Sequence, residues 1–147
     1  MTVIVKFKKL RPDAILPAYK TEGAVGADLT ILVDEQVLLY VGETQMFSTG
    51  LTCEIPPGWE LQVRPRSSLH KMNFLIPNSP GTIDSDYRGE IKVLLMHTDP
   101  NCAVNLQAGS YRVAQLVLKK APQMKIFEVD TLSDTARGEG GFGSTND

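Results

Sequence analysis

The segment PNSPGTIDSDYRGEIKV, residues 77–93, holds the densest set of reactive side chains in the chain: two aspartates, a tyrosine and an Arg-Gly corner ahead of an apolar run. Asp84 follows Ile83 at the end of the strand-like GTID, where a carboxylate can serve as a general base. Asp86 sits in the turn proper, where aspartates usually serve the backbone, and Asp84 to Gly89 reads as the turn of a β-hairpin. In VRPRSSLH, residues 63–70, Arg66, Ser67 and Ser68 follow a proline at the end of an alternating run. A guanidinium, hydroxyls and free amides at a strand end suit phosphate oxygens; a polar turn with no ligand has the same composition. Asp28, in GAVGADLTI, is placed to orient a hydrated divalent cation, because Mg²⁺ keeps its waters and takes one or two carboxylates plus substrate phosphates.

The last stretch, RGEGGFGSTND at 137–147, crowds four of the chain's 12 glycines around Phe142. Glycines let successive backbone N–H groups converge on an anion, and Arg137, Ser144 and Thr145 add charge and donors. No Lys-Ser/Thr pair closes it, so it is not a Walker loop. Composition alone favours a disordered end.

The elements that must carry these groups are strands. Val3, Val5 and Phe7 alternate with Ile4 and Lys6, and Trp59, Leu61 and Val63 alternate with Glu60, Gln62 and Arg64, a period of two. EIKVLLMH (90–97) and RVAQLVLK (112–119) carry apolar residues on both faces, as strands between two layers do. Pro and Gly interrupt the pattern at Pro56-Pro57-Gly58, Pro80-Gly81, Arg88-Gly89 and Ala108-Gly109, leaving little room for helix. The expectation is an all-β, jelly-roll-like β-sandwich over residues 1–136, followed by a flexible glycine-rich C-terminal arm over 137–147.

With 147 residues, 42% of them hydrophobic, one domain can bury a core without disulfides or metal. Lys+Arg 15 against Asp+Glu 17 leaves no basic excess for a polynucleotide, so no nucleic-acid partner is expected. No stretch approaches the ~18 apolar residues of a membrane span and no leader-like h-region opens the chain, so no membrane partner is expected and the cytoplasm is the expected compartment. Cys53 and Cys102 read as buried free thiols, and His70 and His97 are too isolated to build a zinc site.

Taken in order, AVGADL (24–29), PRSSL (65–69), GTIDSDYRGEIKV (81–93), YRVAQL (111–116) and RGEGGFGST (137–145) resemble the five motifs of the trimeric deoxyuridine triphosphate nucleotidohydrolases. The resemblance implies a homotrimer of jelly rolls with active sites shared between subunits, hydrolysing dUTP to dUMP and pyrophosphate with Mg²⁺. Such an activity limits uracil in DNA and supplies dUMP for thymidylate synthesis. By the same resemblance, Asp84 holds and deprotonates the water that attacks the α-phosphorus, and Tyr87 packs under the deoxyribose and leaves no room for a 2′-hydroxyl. Asn78 reads the uracil edge together with backbone groups of Gly81, Thr82 and Ile83. Arg66, Ser67 and the amide of Ser68 grip the α- and β-phosphates beside Gln115, and Asp28 bonds waters around the magnesium. In the arm, Phe142 closes over uracil next to Gly143, while Arg137, Ser144 and Thr145 hold the γ-phosphate.

Three positions depart from the family pattern. Ser68 stands where RSGL is usual, Tyr111 stands where an aspartate is expected to partner a nearby arginine, and the arm ends at STND without a further glycine. The related dCTP deaminases share the jelly roll and often the RSSL motif, but carry a glutamate where this chain has Val93, Leu94 and Leu95, and read DPGF where it has DSDYRG. A regulatory role, in which dUTP occupancy switches a contact with a protein partner, is compatible with the same motifs.

Overall fold

The computed structural model describes residues 2–141. Its ten strands are β1 (Lys6–Lys9), β2 (Gly26–Val33), β3 (Val37–Leu39), β4 (Thr44–Glu54), β5 (Trp59–Pro65), β6 (Phe74–Leu75), β7 (Gly81–Ile83), β8 (Ile91–His97), β9 (Val104–Leu106) and β10 (Gly109–Lys120). The one helical element among the described residues is a 3₁₀ turn at Leu69–Met72. Eight strands form an antiparallel sheet of order β6-β8-β4-β2-β10-β5-β7, with β1 added on β4, and β3 pairs with β9 separately. The fold is all-β and jelly-roll-like, as the strand periodicity predicts.

Alternation decides which face is core. β8 buries Ile91, Val93, Leu95 and His97 and turns Lys92, Leu94 and Met96 outward, so it is a one-faced strand and not the doubly covered one its composition predicts. In β10, Val113 and Ala114 are both buried although they are neighbours. A register shift between Arg112 and Ala114 makes this possible, because a bulge turns one extra side chain to the same face. Leu29, Ile31, Leu51, Val93 and Leu95 are fully buried at the centre, each apolar side chain contributing about 1.5–3 kcal/mol by leaving water.

Two further expectations are overturned. The stretch before Asp84 and the strand after it do not form a hairpin: β7 pairs with β5, whereas β8 pairs with β4 and β6. Residues 84–90 therefore bridge distant strands of a sheet that curls until β5 and β7 face β4 and β8. Aspartates and an Arg-Gly corner ahead of an apolar run mark a turn without saying which strands it joins. Cys53 is buried as expected, but Cys102 is exposed, with its thiol directed at Asp99.

Beyond Lys120 the chain forms no strand among the described residues. Met124, Ile126, Phe127, Val129 and Leu132 stand exposed there, outside the core that β1 to β10 enclose.

Candidate active site

A pocket of about 250 Å³ opens where the two ends of the curled sheet meet. Its walls include Asn78, Gly81, Thr82, Ile83, Asp84 and Tyr87 from one side, and Met46, Glu90, Lys92 and Leu94 from the other. Asp84 is the first residue after β7, exposed at the mouth, and its carbonyl accepts from the Tyr87 N–H at 3.2 Å to close a turn. Arg88 braces that turn by donating to the carbonyls of Ser85 and Tyr87 at 2.7 and 3.0 Å. Tyr87 then folds back over Gly89 and donates its hydroxyl to the Glu90 carbonyl at 3.0 Å. A Cβ at Gly89 would overlap the Tyr87 ring and hydroxyl, so only glycine permits this fold-back. Asn78 lies beside Gly81, where an added Cβ would come within 3.2 Å of its amide nitrogen.

A second cluster is charged. Register places Gln115 of β10 opposite both Asp28 of β2 and Arg64 of β5. Asp28, its side chain 12% exposed, accepts from Arg66 Nε at 3.0 Å and from Arg112 Nη1 at 3.3 Å. Arg66 also donates to the Arg112 carbonyl at 3.1 Å. Two of its five donors are thus spent and the others remain for an anion. With two guanidiniums and one carboxylate, the cluster carries net positive charge. Gln115 donates to the Pro65 carbonyl at 3.0 Å, and its side chain lies where a Cβ on residue 26 would stand, which explains the glycine in AVGADL.

Ser67 and Ser68 form an exposed turn between Arg66 and the 3₁₀ turn, closed by Leu69 N–H donating to the Arg66 carbonyl at 3.0 Å. Ser68 has φ −84° and ψ −6°, ordinary right-handed backbone, so the position needs no glycine. Arg137 is exposed and donates to the Gly140 carbonyl at 2.8 Å. Phe142, Gly143, Ser144 and Thr145 lie outside the described residues.

The sequence-predicted residues thus fall into two half-sites. Asn78, Gly81, Thr82, Ile83, Asp84 and Tyr87 meet in the pocket; Asp28, Arg66 and Gln115 meet in the cluster, with Ser67 and Ser68 on the turn that follows Arg66. Among the described residues, none of the second group lines the pocket.

A family profile described as dUTPase matches residues 12–146. The chain belongs to the dUTPase family. It is 49% identical over 142 residues to the deoxyuridine 5'-triphosphate nucleotidohydrolase of Nautilia profundicola, covering 96% of this chain and 97% of that protein. It is 46% identical over 149 residues to the same-named protein of a Thermoanaerobacter species, covering 99% of each. Among solved structures it is similar to the Staphylococcus bacteriophage 80alpha dUTPase with dUPNHPP, at 25% identity and a TM-score of 0.79, covering 98% of this chain and 99% of that one.

Within this dUTPase family member, several pocket and cluster residues escaped the reading of motifs. Arg112 is the second guanidinium on Asp28; its place in YRVAQL was the available signal. The Tyr111 departure has a local answer, since its hydroxyl donates to the Gln107 carbonyl at 2.9 Å while Arg112 takes Asp28 as its partner. Met46 and Val63 reach the pocket from β4 and β5, which no linear motif indicates. Among the described residues, no three His, Cys, Asp or Glu side chains group as a metal cage, and no helix is long and apolar enough to cross a membrane.

Proposed function

We propose that the protein hydrolyses dUTP to dUMP and pyrophosphate, with Asp84 as the base that activates water for attack on the α-phosphorus. The observation that carries this is the convergence of Asp84, Tyr87 and Asn78 in one pocket of a dUTPase-family chain. Asp84 is exposed at the pocket mouth, where a carboxylate can hold a water and take its proton. Tyr87, tethered at its hydroxyl, offers a fixed ring face beneath a deoxyribose, and Asn78 with the backbone of Gly81, Thr82 and Ile83 reads the uracil edge. Arg66, the Ser67 hydroxyl, the Ser68 amide and Gln115 bind the α- and β-phosphates.

A triphosphate carries about four negative charges, so cations must offset them before an anionic base can approach phosphorus. Both oxygens of Asp28 already accept from guanidiniums, and no acidic cage surrounds it among the described residues. That environment suits an outer-sphere contact to water of a Mg²⁺ ion carried in on the substrate, and not direct ligation. Mg²⁺ bound there supplies charge neutralisation at the phosphates.

The separation of pocket and cluster supports a homotrimer whose sites combine the pocket of one subunit with the Asp28–Arg66–Gln115 cluster of another. On this reading residues 1–136 are the jelly-roll domain and 137–147 a lid, with Phe142 over the base next to Gly143, and Arg137, Ser144 and Thr145 on the γ-phosphate. The lid excludes water and completes in-line positioning. The protein acts in the cytoplasm, where removing dUTP limits uracil in DNA and yields dUMP for thymidylate synthesis.

The test is pyrophosphate release from dUTP, UTP, dTTP and dCTP, with and without Mg²⁺. Selective, Mg²⁺-dependent release from dUTP is expected. Release from all four alike, or ammonia release from dCTP, would overturn the assignment.

A further inference from the structure

We propose that Glu90 is a positioning residue that holds Tyr87 in place and thereby sets the preference for deoxyribose over ribose; this rests on the dUTP hydrolysis proposed above. The register of β4 against β8 breaks between Ser48 and Leu51. That bulge and its flanks hold residues 88–91 at successive points. Thr52 donates its hydroxyl to the Arg88 carbonyl at 2.8 Å, and Thr49 donates to the Ile91 carbonyl at 2.6 Å. Between them, Glu90 Oε1 accepts from both the Ser48 hydroxyl and the Gly50 N–H, the latter at 2.9 Å.

Glu90 supplies the one side-chain acceptor from the residue 88–91 side, and its main-chain carbonyl receives the Tyr87 hydroxyl at 3.0 Å. The free end of the Tyr87 ring is therefore tied to a residue whose carboxylate is its own direct anchor to the bulge, between the anchors at Arg88 and Ile91. The donors cannot easily follow if the carboxylate is removed. Gly50 sits at φ +67°, and a Cβ there would lie 2.6 Å from Arg11 Cγ and 2.9 Å from Ala14 Cβ, so the bulge is wedged from behind. Lys92 Nζ, 3.9 Å from Glu90 Oε2 and half exposed, adds only a screened contact. With the acceptor gone, the Ser48 hydroxyl loses its partner and Gly50 N–H keeps only its longer bond to Ser48 Oγ at 3.2 Å, so Glu90 shifts and Tyr87 is free to swing and admit a 2′-hydroxyl.

The test compares kcat/KM for dUTP and UTP, with melting curves, in the wild type and in Tyr87→Ala, Glu90→Ala, Glu90→Gln and Ser48→Ala. The dUTP-over-UTP ratio is expected to fall about ten- to a hundredfold in Tyr87→Ala and Glu90→Ala, the scale on which pocket contacts discriminate substrates. Glu90→Gln, whose amide oxygen still accepts from Ser48 and Gly50, is expected to retain most of the ratio. A wild-type ratio in Glu90→Ala beside a reduced one in Tyr87→Ala would overturn the inference and leave dUTP hydrolysis standing. So would an equal loss in Glu90→Gln and Glu90→Ala, since the effect would then be one of charge. If Glu90→Ala does not fold, Ser48→Ala removes one of the two donors, and an unchanged ratio there would overturn the inference. Absence of dUTP turnover in the wild type would overturn the underlying reading and this inference with it.

Discussion

Tyr87 and Glu90 are joined side chain to main chain at 3.0 Å across a position where only glycine fits, because the Tyr87 ring occupies the space a Cβ of residue 89 would fill. Gly89→Ala should therefore displace the ring without touching the core. The expected result is a lower dUTP-over-UTP ratio in kcat/KM with a melting temperature close to wild type. An unchanged ratio would show that the ring position does not govern sugar choice.

Asp84→Asn should leave nucleotide binding nearly intact while lowering kcat by about 10²–10⁴-fold, the range over which a positioned general base acts. Calorimetric titration with a non-hydrolysable dUTP analogue and steady-state pyrophosphate release separate the two quantities. Turnover within a few fold of wild type would remove Asp84 from the base role.

Asp28→Asn should cost stability as well as activity. It removes the one carboxylate that both Arg66 and Arg112 share in a site where Asp28 is 12% exposed. Lost charged hydrogen bonds of this kind are worth about 1.5–3 kcal/mol, which urea unfolding resolves. Stability equal to wild type would show that the two arginines find other acceptors.

Removal of residues 137–147 should leave a protein that melts as the full chain does and releases pyrophosphate poorly, since the core is complete at β10. The measurement pairs light scattering for assembly with turnover on dUTP. Loss of assembly would instead make the segment structural.

Acid should weaken the clamp between the N-terminal segment and the end of β2. Arg11 donates to Asp13 and Asp34 at 2.6–3.0 Å and holds both carboxyls below their usual value. Carboxylates depressed in the folded state add stability above their unfolded value, about 3.9, and lose it as pH falls through the lower folded one. The stability difference between wild type and Arg11→Ala should accordingly be present at pH 7 and shrink below about pH 4. A difference independent of pH would assign the effect of Arg11 to its packing on Gly50.

The type of structure and the family were legible locally. A period of two in WELQV marks a strand wherever its partner lies, and Asp84 after Ile83 is a strand-end carboxylate in any fold. The five ordered motifs point to one family because each is a short run of neighbours along the chain. What the linear order could not reveal is pairing. Whether β7 meets β8 or β5 depends on how an eight-stranded sheet curls, which is settled by burying Leu29, Ile31, Val93 and Leu95 together and not by the turn between 84 and 90. The same is true of Arg112 on Asp28, 84 positions apart, and of Glu90 on Ser48 and Gly50, 42 and 40 positions apart. Side-chain type and spacing determined which groups could take part in chemistry; only the tertiary structure decided which of them stand together, because contacts between strands distant in sequence arise from core packing that no local pattern encodes.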